Sequence, residues 1–287
     1  MRLCVITDEI SPDFDTALDV SDELGIRTVE IRTVDGASAV AHDDATVRSW
    51  RQRLDDRGID VAAFASPFLK SHLRDGDAAG APGPTHGAPP ATRAEQWGVL
   101  ERSFEVAHLL GAPLVRTFSF WRLPDPAAVR DEIVDVLAEA AGRAEAAGLE
   151  LGLENEHACN LATGAEAAWA LDRIISPAFG LIWDPGNEAA LDSTPYPDGY
   201  AHVRGRVRHV QVKDRSPDGR WTRVGTGVVD WEGQVRALAA DGYPGLLSLE
   251  THYDTPDGGR AGATRESAAA LRDLCARAGV ELEEVAA

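Results

Sequence analysis

The sequence predicts a single α/β domain, a (β/α)8 TIM barrel that spans residues 1–287. The first observation is that the chain has 287 residues and 44% hydrophobic content, which suits one barrel of ordinary size. The second is that short apolar runs alternate with helical patterns, which implies parallel strands joined by right-handed crossovers. The third is that eight such runs occur, enough to close a barrel. An open doubly wound sheet is the alternative, but no glycine-rich phosphate loop follows the first strand.

The elements follow one another in a regular order. The predicted strands are RLCVIT (2–7), RTVEIR (27–32), DVAAFASPF (60–68), PLVRTFSF (113–120), LELGLEN (149–155), FGLIWD (179–184), VRHVQVKD (207–214) and GLLSLET (245–251). The clearest helical patterns are FDTALDVSDELG (14–25), ATVRSWRQRLDDRG (45–58), RAEQWGVLERSFEVAHLLG (93–111) and GATRESAAALRDLCARAG (262–279). Each has apolar residues at helical spacing and a glycine where a helix would end.

Residues 74–93 depart from this rhythm. The stretch is rich in Gly, Ala and Pro and poor in large apolar residues, which predicts a mobile loop after the third strand. It lies where a lid over the barrel could be, and an insertion without consequence is the equal alternative.

Charge and cysteine content limit the location and the partners. The formal net charge of -19 disfavours binding to nucleic acid and to anionic membranes, although a small anion could still enter a locally basic cleft. Cys4, Cys159 and Cys275 are far apart and form no CxxC pair, so neither disulfides nor a thiolate zinc site is expected. With no leader pattern and no run of about 18 apolar residues, the expected location is the cytoplasm.

Polar side chains end four strands of the second half of the barrel. They are Glu154, Asp184, Gln211 and Glu250. The active site of such a barrel is built at the carboxyl ends of its strands, where a buried carboxylate is costly unless it is paired or bound to a metal. Three carboxylates and one amide at one mouth therefore predict a divalent metal site, and the all-oxygen set favours Mn²⁺ or Mg²⁺ over zinc.

The same segments carry a family resemblance. LGLENEH, LIWDPGN, RHVQVKD and LLSLETH resemble the xylose-isomerase-like barrels, a group that includes ketose 3-epimerases, inosose dehydratases and dehydroshikimate dehydratases. The stretches VITDEIS, VEIR, ASPF and HLLGAPLVR fall where that family has its first four strands and its third helix. The resemblance covers nearly the whole chain.

The resemblance implies one divalent metal ion, Mn²⁺ first and Mg²⁺ or Co²⁺ as alternatives, held by Glu154, Asp184, Gln211 and Glu250. Gln211 departs from the family, which has histidine there. Its amide oxygen can still coordinate a metal ion. We therefore expect the site to keep a metal, with properties changed by this ligand. By the same resemblance, Glu154 and Glu250 are the acid and base that exchange a substrate proton.

The other candidate residues surround this set. His157 is a candidate catalytic proton shuttle for a dehydratase, with a plain loop residue as the alternative. Candidates for substrate binding are Arg32, Lys70, His72, Arg116, Trp121, Glu156, Asn187 and Lys213. For Lys213 a salt bridge to Asp214 or Asp184 is the alternative, and for Trp121 it is core packing.

The predicted function is a metal-dependent isomerase or epimerase that acts on a sugar, a sugar phosphate or a related polyol or keto compound by proton abstraction next to a metal-bound carbonyl. A lyase or dehydratase on the same scaffold, which expels water or a glycosyl group, is the second hypothesis. A non-catalytic sugar-binding barrel is the third. DNA-repair endonucleases of this fold use more histidines than these strand ends offer. A homo-oligomer is expected from the family, but the sequence locates no interface.

Overall fold

Eight parallel strands close into a barrel in the computed structural model, which describes residues 1–74, 76–77 and 82–283. The strands are β1 (Arg2–Ile6), β2 (Thr28–Ile31), β3 (Asp60–Phe64), β4 (Leu114–Thr117), β5 (Glu150–Glu154), β6 (Phe179–Trp183), β7 (Val207–Val212) and β8 (Leu246–Leu249). Each strand pairs with the next in the chain, and β8 pairs with β1. The predicted (β/α)8 barrel is therefore confirmed, with all eight strands at the predicted places.

Helices connect the strands on the outside of the barrel. They are α1 (Thr7–Ile10), α2 (Phe14–Glu23), α3 (Asp44–Asp56), α4 (Gln96–Leu110), α5 (Arg130–Ala146), α6 (Gly164–Leu171), α7 (Pro185–Ala189), α8 (Tyr200–Val203), α9 (Trp231–Ala240) and α10 (Gly259–Arg277). The predicted pattern at 93–111 begins three residues too early, because Thr92 and Glu95 close a turn: the Thr92 N–H donates to Glu95 Oε2 over 2.7 Å. None of the described helices is long and apolar enough to cross a bilayer.

Two short antiparallel hairpins stand at the carboxyl ends of the strands. One pairs Thr33–Val34 with Ala37–Ser38 after β2, and the other pairs Asp214–Arg215 with Trp221–Thr222 after β7. The seventh strand was predicted to run to Asp214, but β7 ends at Val212 because the chain then turns into this hairpin. The hairpins add walls to the mouth of the barrel.

The period of two residues in β7 separates the core from the barrel interior. Val210 and Val212 belong to the main hydrophobic core, while His209, Gln211 and Lys213 are all buried polar residues. Neighbouring side chains of a strand point to opposite faces. The apolar residues therefore pack outward against the helices, and the polar ones point into the barrel.

The described part of the predicted loop lies against the mouth. Lys70 Nζ donates to the Pro84 carbonyl over 3.0 Å, and the Thr33 hydroxyl donates to the His86 carbonyl over 2.8 Å. Residues 75 and 78–81 of the loop lie outside the described residues. The position fits a lid, and its mobility stays a prediction.

Candidate active site

Three carboxylates meet at the mouth of the barrel. Glu154 is the last residue of β5, Asp184 follows β6, and Glu250 follows β8. One oxygen of each lies within 4.8 Å of the others, and none of the three residues is more than 2% exposed. The convergence of these three strand ends, expected from the sequence, is therefore present in the fold.

Asp184 is held by its backbone as well as by its side chain. Its N–H donates to Asn155 Oδ1, its carbonyl accepts from Asn155 Nδ2, and both distances are 2.8 Å. Its carboxylate caps α7 by accepting from the Asn187 N–H over 2.9 Å. Asn155 was not among the predicted residues, because an asparagine at a strand end carries no distinctive sequence signal. Asn155 holds the backbone of Asp184, and the Asn187 N–H holds its carboxylate.

Gln211 lies beside this cluster with nothing bonded to its amide. In the strand register Gln211 is opposite Ser248, two residues before Glu250, and its neighbour Val210 is opposite Trp183. The side chain is fully buried, and neither Oε1 nor Nε2 has a hydrogen-bond partner within the described ranges. Leaving a buried amide unpaired is unfavourable. The unpaired amide oxygen is therefore suited to bind a ligand that does not belong to the protein chain.

Lys213 lies between two of the carboxylates. Its Nζ is 2.7 Å from Asp184 Oδ2, as an ion pair without aligned hydrogen-bond geometry, and it donates to Glu250 Oε2 over 2.6 Å. Gly186 permits this approach, since a Cβ there would lie 2.5 Å from Lys213 Cγ. The ammonium thus occupies the space between Asp184 and Glu250. The salt bridge to Asp184, which was predicted as the alternative to substrate binding by Lys213, is present.

Two arginines complete the charge balance of the cluster. Arg116 Nη1 donates to Glu154 Oε2 over 2.9 Å. Arg32 Nη1 donates to Glu250 Oε1 over 2.6 Å. The three carboxylates are therefore already paired in the metal-free protein, by Arg32 after β2, Arg116 of β4 and Lys213 after β7. These cations were predicted to bind the substrate, with a salt bridge as the alternative for Lys213.

A second polar group adjoins Glu154. Glu156 Oε2 accepts from Lys70 Nζ over 3.2 Å, and its other oxygen is 2.7 Å from His157 Nδ1. Asn187 links this group to the cluster, because its Nδ2 donates to Glu154 Oε1 over 3.0 Å and its Oδ1 is 3.0 Å from His157 Nδ1. Both partners of Nδ1 are acceptor oxygens, so His157 donates to them in the form that carries a proton on Nδ1. The predicted residues Lys70, Glu156, His157 and Asn187 thus form one connected network.

Burial and local charge shift the acidities in opposite directions. Burial raises the pKa of the Glu154 carboxyl to about 7, against the opposing charge of Arg116. Burial also raises the pKa of Asp184, although Lys213 opposes it. Burial acts in the same sense on Glu250, but the surrounding cations, led by Lys213, outweigh it and hold its pKa below the usual value. Glu154 and Glu250 therefore differ strongly in their affinity for a proton.

Two predicted substrate-binding residues lie apart from this cluster. His72 is exposed on the loop after β3. Trp121 is only 4% exposed and belongs to the main core, which favours its packing role. Their part in substrate binding stays a prediction.

Trp221 and His252 form a wall of the mouth that sequence reasoning missed. Trp221, on the hairpin after β7, has Lys213 Nζ 5.2 Å from its ring centroid, and the His252 ring centroid is 5.5 Å away. His252 also stacks on His86 of the loop at 6.3 Å. The LLSLETH segment carried a signal for His252, whereas Trp221 depends on a hairpin that sequence periodicity did not indicate.

A small polar cavity of about 150 Å³ opens beside this wall. Asp8, Glu9, Arg32 and His252 are among its lining residues. The Arg32 guanidinium donates to both oxygens of Asp8 and also to Glu9. The VITDEI segment thus supplies two further acids to the mouth, and Arg32 is fully engaged with carboxylates.

The donor set fits a divalent cation. Three carboxylate oxygens within 4.8 Å of one another and an unpaired amide oxygen at Gln211 match the hard ligands that Mn²⁺, Mg²⁺ and Co²⁺ accept. The ammonium of Lys213 lies 2.7 and 2.6 Å from two of these carboxylates. A cation between Asp184 and Glu250 would therefore have to displace it.

Comparison with known proteins agrees with the fold. A family model described as the xylose isomerase-like TIM barrel matches residues 18–274. Among curated protein sequences no match to the chain was found.

Several solved structures have the same fold. L-ribulose 3-epimerase is 18% identical, with a TM-score of 0.72 over 97% of this chain and 95% of that one. The IOLI protein with a bound zinc atom is 17% identical, with a TM-score of 0.75 over 96% of this chain and 99% of that one. A probable 3-DHS dehydratase, AsbF from Bacillus anthracis, is 14% identical, with a TM-score of 0.71 over 96% and 98% of the two chains. At these identities the likeness concerns the fold alone.

Proposed function

Because this chain belongs to the xylose isomerase-like TIM barrel family, we propose that it is a divalent-metal-dependent isomerase or epimerase of a sugar or a related polyol or cyclic ketone. One observation carries the proposal. The oxygens of Glu154, Asp184 and Glu250 converge within 4.8 Å of one another. Gln211, on the strand between β6 and β8, has a buried amide without a partner among the described residues. A solved barrel of the same fold, the IOLI protein, contains a zinc atom, which supports a metal in this barrel.

Glu154, Asp184, Gln211 and Glu250 would hold the ion. A divalent cation there supplies Lewis acidity toward the oxygens of an α-hydroxy ketone, which acidifies the C–H bond between them. Mn²⁺ is our first choice because every donor is oxygen, and Mg²⁺ and Co²⁺ are the alternatives.

Glu154 and Glu250 would exchange the substrate proton. They come from β5 and β8, which are not neighbours in the barrel, so a substrate seated between them meets one carboxylate on each side. Glu250 is held ionised by Lys213 and Arg32 and is suited to accept a proton. Glu154 would return one: burial raises its pKa to about 7 in the metal-free protein, and a bound cation would lower that pKa.

The pairing of the basic residues favours a substrate without a phosphate group. Arg32, Lys70 and Arg116 were predicted to bind the substrate, either an anionic or a polyhydroxylated one. Each of them instead contacts a buried carboxylate: Glu250, Glu156 and Glu154 respectively. A phosphate would have to compete with these contacts, whereas hydroxyl and carbonyl groups can be added to them. A neutral polyhydroxylated substrate is therefore the better fit, and a sugar phosphate is the weaker alternative.

A dehydratase is the second candidate, and His157 is the observation that favours it. Its side chain is 37% exposed and its Nδ1 is 2.7 Å from Glu156. Burial opposes protonation of the ring, but Glu156 outweighs it and raises the pKa of His157. A protonated imidazole at the mouth could donate its proton to a departing hydroxyl or glycosyl oxygen. A neighbour in fold is a probable 3-DHS dehydratase.

The test is a calorimetric titration of the chelator-stripped, full-length protein with Mn²⁺. We expect one equivalent to bind in the parent protein and much weaker binding in Gln211→Ala and Glu250→Gln. His72→Ala is the matched control, because His72 is exposed and lies away from the ligands, and its Mn²⁺ affinity should equal that of the parent. Absence of binding in the parent would refute metal dependence and leave the non-catalytic sugar-binding barrel as the better hypothesis.

The reaction class is tested with the Mn²⁺-loaded protein in heavy water, with ketoses, inososes and hydroxylated cyclic ketones as substrates. Incorporation of deuterium with conserved carbon skeleton and oxygen count identifies an isomerase or epimerase. Loss of water or of a glycosyl group identifies a lyase, and His157→Gln should then reduce elimination more than deuterium exchange. No exchange and no product with any of these compounds would contradict both enzyme proposals.

A further inference from the structure

A second group of potential ligands lies inside the barrel below the mouth. Cys4 of β1, Glu30 of β2 and His209 of β7 each present one ligand atom within 4.8 Å of the others. Cys4 and Glu30 are fully buried and His209 is 2% exposed. None of these residues belongs to the oxygen cluster at the mouth, and the proposed reaction does not use them.

The polar atoms of this group are incompletely paired. His209 Nε2 lies 2.7 Å from Glu30 Oε1, which accounts for one carboxylate oxygen. Glu30 Oε2 and the Ser248 hydroxyl on β8 make no hydrogen bond of good geometry in the part of the chain that the structure describes. Burial acts to raise the pKa of Glu30, but His209 and the nearby Ser248 hydroxyl lower it below its usual value. Ser248 is opposite Cys4 in the strand register. A buried carboxylate oxygen without a donor is costly, and a cation would satisfy it.

A cavity on the opposite face of the barrel from the mouth reaches His209 of this group. It has a volume of about 280 Å³ and is lined by residues at the amino-terminal ends of the strands, including Arg2, Asp60, Glu150 and Arg208, and also by His209. The cavity therefore opens toward His209 from the amino-terminal face, whereas Cys4 and Glu30 lie behind it and are fully buried.

The chemistry of the ligands differs from that at the mouth. A thiol, an imidazole nitrogen and a carboxylate are the donors that Zn²⁺ binds in tetrahedral sites, whereas Mn²⁺ and Mg²⁺ prefer oxygen. This set could not be predicted from the sequence, because no two of its residues are close in the chain. Closure of the barrel brings Cys4 of β1, Glu30 of β2 and His209 of β7 close together, with Ser248 of β8 opposite Cys4.

We propose that Cys4, Glu30 and His209 form a second metal site, selective for Zn²⁺ or Co²⁺, that is entered from the amino-terminal face of the barrel. Glu30 Oε2, the Cys4 sulfur and one imidazole nitrogen are the protein ligands, and the Ser248 hydroxyl or a water molecule takes the fourth position. On binding, the Cys4 thiol releases its proton to solvent and the sulfur binds as thiolate. No electron transfer is involved.

The experiment is a titration of the chelator-stripped, full-length protein with Co²⁺ alone, followed by absorption spectroscopy. A thiolate ligand produces a sulfur-to-cobalt charge-transfer band in the near ultraviolet, which oxygen ligands at the mouth cannot produce. We expect this band in the parent protein and in the mouth variant Asp184→Asn. We expect its loss in Cys4→Ser, with Cys275→Ser as the matched control that retains it.

A second measurement uses Zn²⁺ competition with a chromophoric chelator. Cys4→Ala and His209→Gln should each weaken Zn²⁺ binding at this site by at least about tenfold, while Asp184→Asn leaves it unchanged. Circular dichroism of the variants verifies that they fold. If the parent shows no charge-transfer band at saturating Co²⁺, or if the band survives in Cys4→Ser, the second site does not exist and Glu30 and His209 are a structural pair. Neither result bears on Mn²⁺ at the mouth.

Discussion

Lys213 is the residue that most directly controls the charge at the mouth. Its ammonium contacts Asp184 and Glu250 at 2.7 and 2.6 Å, and it is 2% exposed. Attraction between groups so close and so well shielded from water is strong, and removing one partner of a buried ion pair is strongly destabilising. The same ammonium repels a divalent cation from the same two carboxylates. Lys213 therefore both stabilises the metal-free protein and competes with the metal.

Lys213→Met separates these effects, because it keeps an unbranched side chain only one atom shorter and removes its charge. We expect the variant without metal to be less stable by about 3 kcal/mol, as for other broken buried ion pairs. We expect its affinity for Mn²⁺ to rise by about tenfold, since the competing charge is gone. Urea unfolding and calorimetric titration measure the two quantities.

Arg208→Met is the control, since Arg208 forms an ion pair with Glu150 that is about half exposed and lies far from the mouth. It should leave Mn²⁺ affinity unchanged. Unaltered Mn²⁺ affinity in Lys213→Met would mean that the ammonium and the metal do not compete for Asp184 and Glu250.

At the scale of single elements, hydrogen bonds at the start of α6 connect the loop that follows β5 to the outer layer of helices. Thr163 Oγ1 accepts from the Glu166 N–H over 3.2 Å, and Glu166 Oε2 accepts from the Thr163 N–H over 3.1 Å. These reciprocal bonds are a capping box. Arg122, from the loop after β4, donates to both oxygens of Glu166. The cap therefore also joins the loops that follow β4 and β5.

Thr163→Ala should lower the free energy of unfolding by about 1 kcal/mol, the usual effect of removing a helix cap. Thr163→Ser keeps the accepting oxygen and should remain close to the parent. Urea denaturation of the metal-free proteins measures both. Equal losses in the two variants would show that the methyl group of Thr163, and not its cap, is responsible.

At the scale of the whole molecule, buried charges make stability depend on pH. Unfolded Glu has a pKa of about 4.3, whereas burial raises the pKa of Glu154 in the folded protein to about 7. Because the folded value is the higher one, the folded protein binds the extra proton between these values. The contribution of protonated Glu154 to the free energy of unfolding is fully present below about pH 4.3. It is lost as the pH rises through about 7.

The metal-free protein should therefore lose stability between about pH 5 and pH 7.5, by on the order of 3 kcal/mol from Glu154. Glu154→Gln cannot ionise and should have a flatter profile over this interval. Melting temperatures measured at several pH values for the two proteins test this. Profiles of equal slope would show that Glu154 titrates normally in the folded protein.

The sequence by itself determined the order of the elements and the identity of the strand-end residues. Alternation of apolar runs with helical patterns is a local property, so all eight strands could be predicted, although the start of α4 and the ends of β3, β4 and β7 could not. The carboxylates of Glu154, Asp184 and Glu250 could be placed together because parallel strands bring their carboxyl ends to one face of a barrel.

Only the tertiary structure decided which charges face one another. From the sequence, Lys213 could have paired with Asp214. The packing of β6, β7 and β8 side by side places it against Asp184 and Glu250 instead. Closure likewise brings Glu30 of β2 within 2.7 Å of His209 of β7. Such contacts depend on barrel register and side-chain direction over long sequence separations, which periodicity along the chain does not encode.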